Sequence, residues 1–372
     1  MFYWLLESQN TPSDDPLVFW FNGGPGCSSL LGLFGENGPF RLNENGKLQR
    51  NNHGWSRIAN IVYLESPVSV GFSYFSKESG PINDNTTAEK NYIAIKEFLK
   101  EYPQFRNHDI FLTGESYAGV YIPMLSSRII DGQNEYPLKL KGIAIGNGAL
   151  SLKTRRLTAF VYGYSHGLVG HDEYENTLRE CCNGTLDTCK AIDELSCTPL
   201  NQFIHMKHVA IDMYDISKTC NITKFSIGSC KIHLPATLKK YMNLPKVRET
   251  LQIPETVQIW ETCRKMDYIS DESEMHSYVK KVVNHGVRVL LYYGDKDKIC
   301  DFMMGQQFAA SLNLTKLAAK SPWYFENVLA GYVTIYKGLT FTTVRGAGHL
   351  APRSHPAQML HVIQQFVNNQ PF

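Results

Sequence analysis

Ser116 sits in Gly114-Glu115-Ser116-Tyr117-Ala118-Gly119, a run of the G-x-S-x-G type that follows the apolar stretch Ile110-Phe111-Leu112-Thr113 and opens a helical pattern at Tyr117. Small residues two before and three after the serine fit a strand-to-helix turn too tight for larger side chains. A serine on such an elbow stands above a sheet, and the N–H groups at the start of the next helix can stabilise a negative oxygen. That is the chemistry of a nucleophile attacking an acyl carbon. A second serine, in Gly71-Phe72-Ser73-Tyr74, lacks the following glycine.

A serine hydroxyl needs a base, and the base needs a carboxylate to orient it. Among 12 histidines, His349 stands out, because Gly346-Ala347-Gly348 precedes it directly after the strand pattern Phe341 to Val344. For the acid, the apolar run Leu290-Leu291-Tyr292-Tyr293 ends at Gly294-Asp295-Lys296-Asp297, at a strand edge where sheets of this kind place their sites. Position alone admits Asp295 or Asp297, and an ordinary polar turn suits either one. The order serine, acid, histidine is that of α/β-hydrolases. An early loop, Asn22-Gly23-Gly24-Pro25-Gly26-Cys27-Ser28-Ser29, offers glycine N–H groups that can approach a reacting carbonyl closely. It contains no G-x-x-x-x-G-K-[ST] pattern and is not read as a phosphate loop.

The elements that must hold these residues are short strands alternating with helices. Pro16 to Phe21, Ala59 to Leu64, Asp109 to Thr113 and Leu140 to Ile145 read as strands, with a crossover helix over Thr87 to Tyr102. This predicts an α/β fold, a central, mostly parallel twisted sheet flanked by helices. Residues 1–150 form its first part. Residues 151–275 hold seven of the nine cysteines and little strand alternation, and are expected to be an inserted, disulfide-stapled helical cap. Strand character returns over 276–372, at Val287 to Tyr293 and Phe341 to Val344, before a closing helix from about His355 to Phe366.

The 372 residues carry 37 Lys plus Arg against 35 Asp plus Glu, a net charge of +2, and 43% are hydrophobic. So even a balance gives no reason to expect nucleic acid or an anionic membrane as partner. Leu17 to Phe34 is uncharged, but Asn22, Gly23, Gly24, Pro25 and Gly26 in its middle would break a membrane helix. The opening Met1-Phe2-Tyr3-Trp4-Leu5-Leu6 has no basic or long apolar segment and reads at once as a strand, so no signal peptide is expected here and the chain is expected to start partway into the fold. Clustered cysteines without a CxxC pair point to disulfides instead of a metal, and His205 with His208 lies in a polar stretch. Acceptor triplets for N-glycosylation at Asn85, Asn183, Asn221 and Asn313 point the same way, to a lysosomal or secretory compartment.

The motifs Trp20 to Ser29, Tyr63-Leu64-Glu65-Ser66-Pro67, Gly114 to Gly119, Gly294 to Asp297 and Gly346 to His349 resemble the serine carboxypeptidase family over nearly the whole chain, and its cathepsin A branch most of all. The resemblance implies an α/β-hydrolase fold that removes C-terminal amino acids from peptides through an acyl-enzyme, with no cofactor and no metal. Ser116 would be the nucleophile, His349 the base and Asp297 the acid. The N–H groups of Gly24 and Tyr117 would form the oxyanion hole. Asn22, Gly23 and Glu115, with Glu36 paired to Glu115, would hold the substrate's terminal carboxylate. A carboxyl group donates to another carboxylate only when protonated, so an acidic working range is expected. The resemblance also implies the pairs Cys27–Cys263, Cys181–Cys197, Cys182–Cys189 and Cys220–Cys230, with Cys300 free. Expected partners are peptides with a free C-terminus, with a homodimer or a protective complex with other lysosomal enzymes beside them. An acyltransferase using the same acyl-enzyme, or a non-catalytic protective role, are the rival readings. Leu31, Asp301, Leu350 and Arg353-Ser354-His355 depart from the family pattern.

Overall fold

Leu17–Phe21 is buried at every position, the pattern of a strand in a sheet covered on both faces. The computed structural model describes residues 1–372 apart from 44, 76–79, 187–188, 190–196, 198–199, 201–210 and 220–232, and leaves out the side chains of 233–235. Its main sheet has nine strands: β1 (Tyr3–Leu6), β2 (Leu17–Phe21), β3 (Asn60–Leu64), β4 (Ile110–Glu115), β5 (Leu140–Gly146), β6 (Arg288–Gly294), β7 (Lys316–Phe325), β8 (Val328–Tyr336) and β9 (Leu339–Val344). Their order across the sheet is β1-β3-β2-β4-β5-β6-β9-β8-β7. From β3 to β9 neighbours run parallel, and β1, β8 and β7 are antiparallel additions at the two edges. This is the α/β-hydrolase architecture.

Because side chains alternate along a strand, β2 feeds two cores. Val18 and Trp20 pack on one face with α1 (Leu30–Gly35) and the closing helix Pro356–Val367. Leu17, Phe19 and Phe21 pack on the other with α2 (Asp84–Glu101) and α3 (Ala118–Asp131). Helix α2 starts at a capping box, in which the Asn83 side chain accepts from Thr86 N–H and Thr86 Oγ1 accepts from Asn83 N–H. The hairpin β7–β8 has no counterpart in the sequence reading. Most of β7 is exposed, it contains Pro322, and its register against β8 shifts three times, so no alternating pattern marks it.

Between β5 and β6, none of the described strands joins the main sheet. Ile211–Asp212 pairs with Asp215–Thr219, and Tyr268–Ile269 pairs with Ile82–Asn83. The helices Leu152–Ser165 and His171–Cys182 bury only small clusters, around Phe160 and Leu178. Cores that small need covalent help, and Cys181–Cys197 and Cys182–Cys189 supply it here. Cys27–Cys263 spans 236 residues of sequence and ties the loop after β2 to the segment that precedes β6. Cys300 is free and buried. Asn85, Asn183 and Asn313 are exposed, whereas Cys220, Cys230 and Asn221 lie outside the described residues. Among the described residues, no helix is long and apolar enough to cross a membrane.

Peptide mapping without reduction should therefore recover Cys27–Cys263, Cys181–Cys197 and Cys182–Cys189 as linked peptides. Cys300 should react with an alkylating reagent only after denaturation. Labelling of Cys300 in the native protein, or a Cys27 peptide that runs free, would contradict this arrangement.

Candidate active site

Ser116 directly follows β4 with φ at 61°, a left-handed conformation uncommon for a residue with a side chain. The turn is packed from both sides. A Cβ on Gly114 would lie 2.3 Å from the Phe21 carbonyl oxygen, and one on Gly119 2.8 Å from the Ala149 nitrogen. Ser116 N–H donates to the Gly146 carbonyl at 3.0 Å, strapping the elbow to β5. Strain of this kind, on the order of 1–3 kcal/mol, persists only where the surroundings fix it.

The loops after β6 and β9 bring Asp297 and His349 together. His349 Nδ1 lies 2.6 Å from Asp297 Oδ2, and both side chains are buried. That contact leaves Nε2 as the nitrogen free to exchange a proton. Asp297 also accepts from Ile299 N–H at 2.8 Å, Cys300 N–H at 3.2 Å and Asn147 Nδ2 at 2.9 Å. Asn147 was not singled out from the sequence, although it stands at the end of β5 between two glycines. Its Oδ1 accepts from Gly294 N–H at 2.9 Å, which fixes the amide and hence the carboxylate it holds. Asp295, the other aspartate open by position, turns elsewhere and accepts from Gly346 N–H at 2.7 Å. The insertion also reaches this corner, where Tyr214 accepts from His349 N–H at 2.7 Å through its carbonyl and packs edge-on against the imidazole. Ser116 and His349 line one cavity with no hydrogen bond between their side chains.

A cavity of about 460 Å³ brings Ser116 and His349 together with Asn22, Gly23, Gly24 and Glu115. A Cβ on Gly23 would fall 2.4 Å from the Tyr117 nitrogen, so only glycine lets the loop after β2 lie against the elbow. Among the described residues, the N–H groups of Gly24 and Tyr117 donate to nothing within the protein. Unpaired backbone donors at a concave site are poised for a ligand oxygen.

Beside them lies a buried amide and two buried carboxyls. Asn22 Nδ2 donates to Glu115 Oε1 at 2.9 Å and to Glu36 Oε1 at 3.2 Å. Asn22 Oδ1 is held in turn by Trp20 Nε1 at 2.8 Å and Gly32 N–H at 3.0 Å, which fixes the direction of the amide. Glu115 Oε2 and Glu36 Oε2 have no partner, and of the two residues only Glu115 lines the cavity. Burial holds Glu115 well above the usual carboxylate range, and the charge of Glu36 adds to the effect. Burial also raises Glu36, opposed by the neighbouring Glu115 carboxyl and Asn22 amide and by the positive charge of Arg353. Burial of two such carboxyls beside one amide disfavours the ionisation of both. No group of three or more His, Cys, Asp or Glu suited to hold a metal occurs among the described residues.

Below the loop, Glu65 is fully buried and ties three segments together. It accepts from Ser28 Oγ, from Phe72 N–H at 2.6 Å and from Trp260 Nε1 at 2.8 Å. Burial pushes its carboxyl up to about 7, against the pull of those three donors.

The profile of the family described as serine carboxypeptidase matches residues 1–369 of this chain. A serine carboxypeptidase of Caenorhabditis elegans is 35% identical over 100% of this chain and 87% of its own length. The lysosomal protective protein of Mus musculus is 32% identical over 100% of this chain and 88% of its own length. Among solved structures, a prohormone-processing carboxypeptidase from Saccharomyces cerevisiae is similar in fold, with a TM-score of 0.81 at 22% identity, covering 99% of this chain and 86% of that one.

The raised carboxyls make stability depend on pH in an unusual direction. Between its ordinary value of 4.5 and its folded value of about 7, Glu65 keeps a proton in the folded chain that the unfolded chain has released. Its contribution is therefore complete below pH 4.5 and is lost as pH rises to 7, on the order of 3 kcal/mol for this group alone. Asp301, pushed up to about 7 by burial, acts in the same sense. The melting temperature should fall by several degrees from pH 5 to pH 7.5, and Glu65→Gln should shrink that fall. A melting temperature that rises over this interval would refute the assignment.

Proposed function

This chain belongs to the serine carboxypeptidase family, and on that premise we propose that it hydrolyses the last peptide bond of a chain through an acyl-enzyme on Ser116. The observation that carries the proposal is the placing of Asn22 and Glu115 in the same cavity as Ser116, His349 and Gly24. In this reading His349 Nε2 takes the Ser116 proton as Oγ attacks the carbonyl carbon, while Asp297 steadies the imidazolium that forms. The carbonyl oxygen, now negative, receives the N–H groups of Gly24 and Tyr117. His349 then gives the proton to the departing amine, the C–N bond breaks, and a free amino acid leaves. Water, deprotonated by His349, cleaves the ester and restores Ser116.

The clamp explains why such a site would act at chain ends. The terminal α-carboxylate of a peptide would accept from Gly23 N–H, from the protonated Glu115 and from Asn22 Nδ2, which would turn one of its two protons from the glutamates to the substrate, with Glu36 behind it sharing the proton. An internal peptide bond presents no carboxylate there, so the buried donors would go unpaired, a cost of about 1–3 kcal/mol per group. Once the Glu pair loses its last proton it repels the substrate, which supports an acidic working range. Three disulfides and exposed acceptors at Asn85, Asn183 and Asn313 support a lysosomal or secreted setting.

Ser116→Ala, His349→Ala and Asp297→Asn should each lower kcat by roughly 10⁴-fold with the fold intact, because the members of such a unit fail together. Blocked dipeptides with a free acid should show a KM that worsens between about pH 5 and pH 7.5 as the Glu pair ionises. The matching amides and esters carry no charge for the ionised pair to repel and should show no such worsening of KM over that range. Glu115→Gln should flatten the free-acid trend, because an amide donates at every pH. A shared pH profile for acids and amides, or equal cutting of internal bonds, would leave only a generic serine hydrolase.

A further inference from the structure

A further buried carboxylate, outside both the triad and the clamp, stands behind the nucleophile. Asp84, the first residue of α2, is 1% exposed. Its Oδ1 accepts from Tyr117 Oη at 2.9 Å and from Tyr268 Oη at 2.8 Å, and its Oδ2 accepts from Glu272 N–H at 3.0 Å. Tyr117 Oη also lies 2.6 Å from Ser270 Oγ. A phenol has one proton to give, and a carboxylate is the stronger acceptor. Tyr117 therefore donates to Asp84 and accepts from Ser270. Its ring is held on two further sides, edge to face with Tyr268 at 5.7 Å and with Tyr121 at 5.3 Å.

Tyr117 is the residue whose backbone N–H has no partner among the described residues and whose nitrogen would lie 2.4 Å from a Cβ on the cavity residue Gly23. It follows the strained Ser116 directly, and its own φ and ψ are −64° and −13°. A tyrosine fixed at its hydroxyl and on its ring can rotate its backbone very little, because the ring is joined to Cα by only two rotatable bonds. We propose that Asp84 is a positioning residue for the oxyanion hole, which sets the direction of the Tyr117 N–H by anchoring the Tyr117 side chain at its far end. This rests on the serine-hydrolase reading given above. Asp84 touches neither Ser116 nor the clamp, and the segment 268–272 that completes its shell arrives from the end of the insertion. The cap region is thereby coupled to the hole through one carboxylate.

The charge on the carbonyl oxygen exists only after attack, so a misdirected N–H costs kcat and leaves ground-state binding alone. Tyr117→Phe removes the anchor with almost no change in volume. It should lower kcat by about 10- to 100-fold with KM held within about threefold, and weaken binding of a peptide aldehyde by a similar factor. Phosphonylation of Ser116 by a fluorophosphonate, which uses the hole but needs no peptide, should slow to a similar extent. Tyr268→Phe removes the other phenol from the same Asp84 oxygen and leaves Tyr117 anchored. It should match Tyr117→Phe in lost melting temperature while keeping kcat within about twofold of wild type. Asp84→Asn should fall in the direction of Tyr117→Phe, and the double variant should lose no more than the worse single one, since both break one link. The inference is overturned if Tyr117→Phe is labelled and turns over at the wild-type rate, if Tyr268→Phe loses as much kcat as Tyr117→Phe, or if the losses in the double variant multiply. Failure of the wild type itself to react with the phosphonate would instead overturn the functional reading.

Discussion

The catalytic edge of this molecule depends on one close approach, that of the Gly23 Cα to the backbone of Glu115, Ser116 and Tyr117. A Cβ at Gly23 would collide with all three. Because the loop after β2 can lie flat against the elbow after β4, Gly23 and Gly24 border one cavity with Ser116, and Asn22 meets Glu115 in the same cavity. The parallel register that pairs Phe21 with Gly114 sets the two loops at the same height. The disulfide Cys27–Cys263 and the hydrogen bond from Ser28 N–H to the Thr262 carbonyl, at 2.8 Å, keep the loop from lifting away.

Around that contact the protein buries carboxyl groups in different ways. Asp297 is surrounded by donors, from Asn147, Ile299 and Cys300 as well as His349. Glu36 and Glu115 share one amide between them and keep an oxygen each without a partner, an environment that suits a retained proton. Glu65, beneath the same loop, is different again: donors reach both of its oxygens, yet burial outweighs them and raises its carboxyl.

Much of this was legible in the sequence because the constraints are local. The elbow needs Gly114 and Gly119 within a few residues of Ser116, and the strands β2, β3, β4, β5, β6 and β9 are apolar runs that end at motifs. Asn147 and Asp84 were not legible, since their meaning comes from partners 150 and 33 residues away in sequence. Local position could not separate Asp295 from Asp297; the structure does so by turning Asp295 to Gly346 N–H. The hairpin β7–β8 escaped notice because an exposed edge strand with slipping register leaves no periodic trace.

The central claim is that a retained proton on the Glu36–Glu115 pair receives the terminal carboxylate of the substrate. Calorimetry tests it most directly, with Ser116→Ala titrated by a peptide acid and by the same peptide amide at pH 7, in two buffers of different ionisation enthalpy. The account predicts that the acid takes up a fraction of a proton on binding, that this fraction grows as pH is raised, and that the amide takes up much less. Binding of the acid with no proton uptake across that range would contradict it.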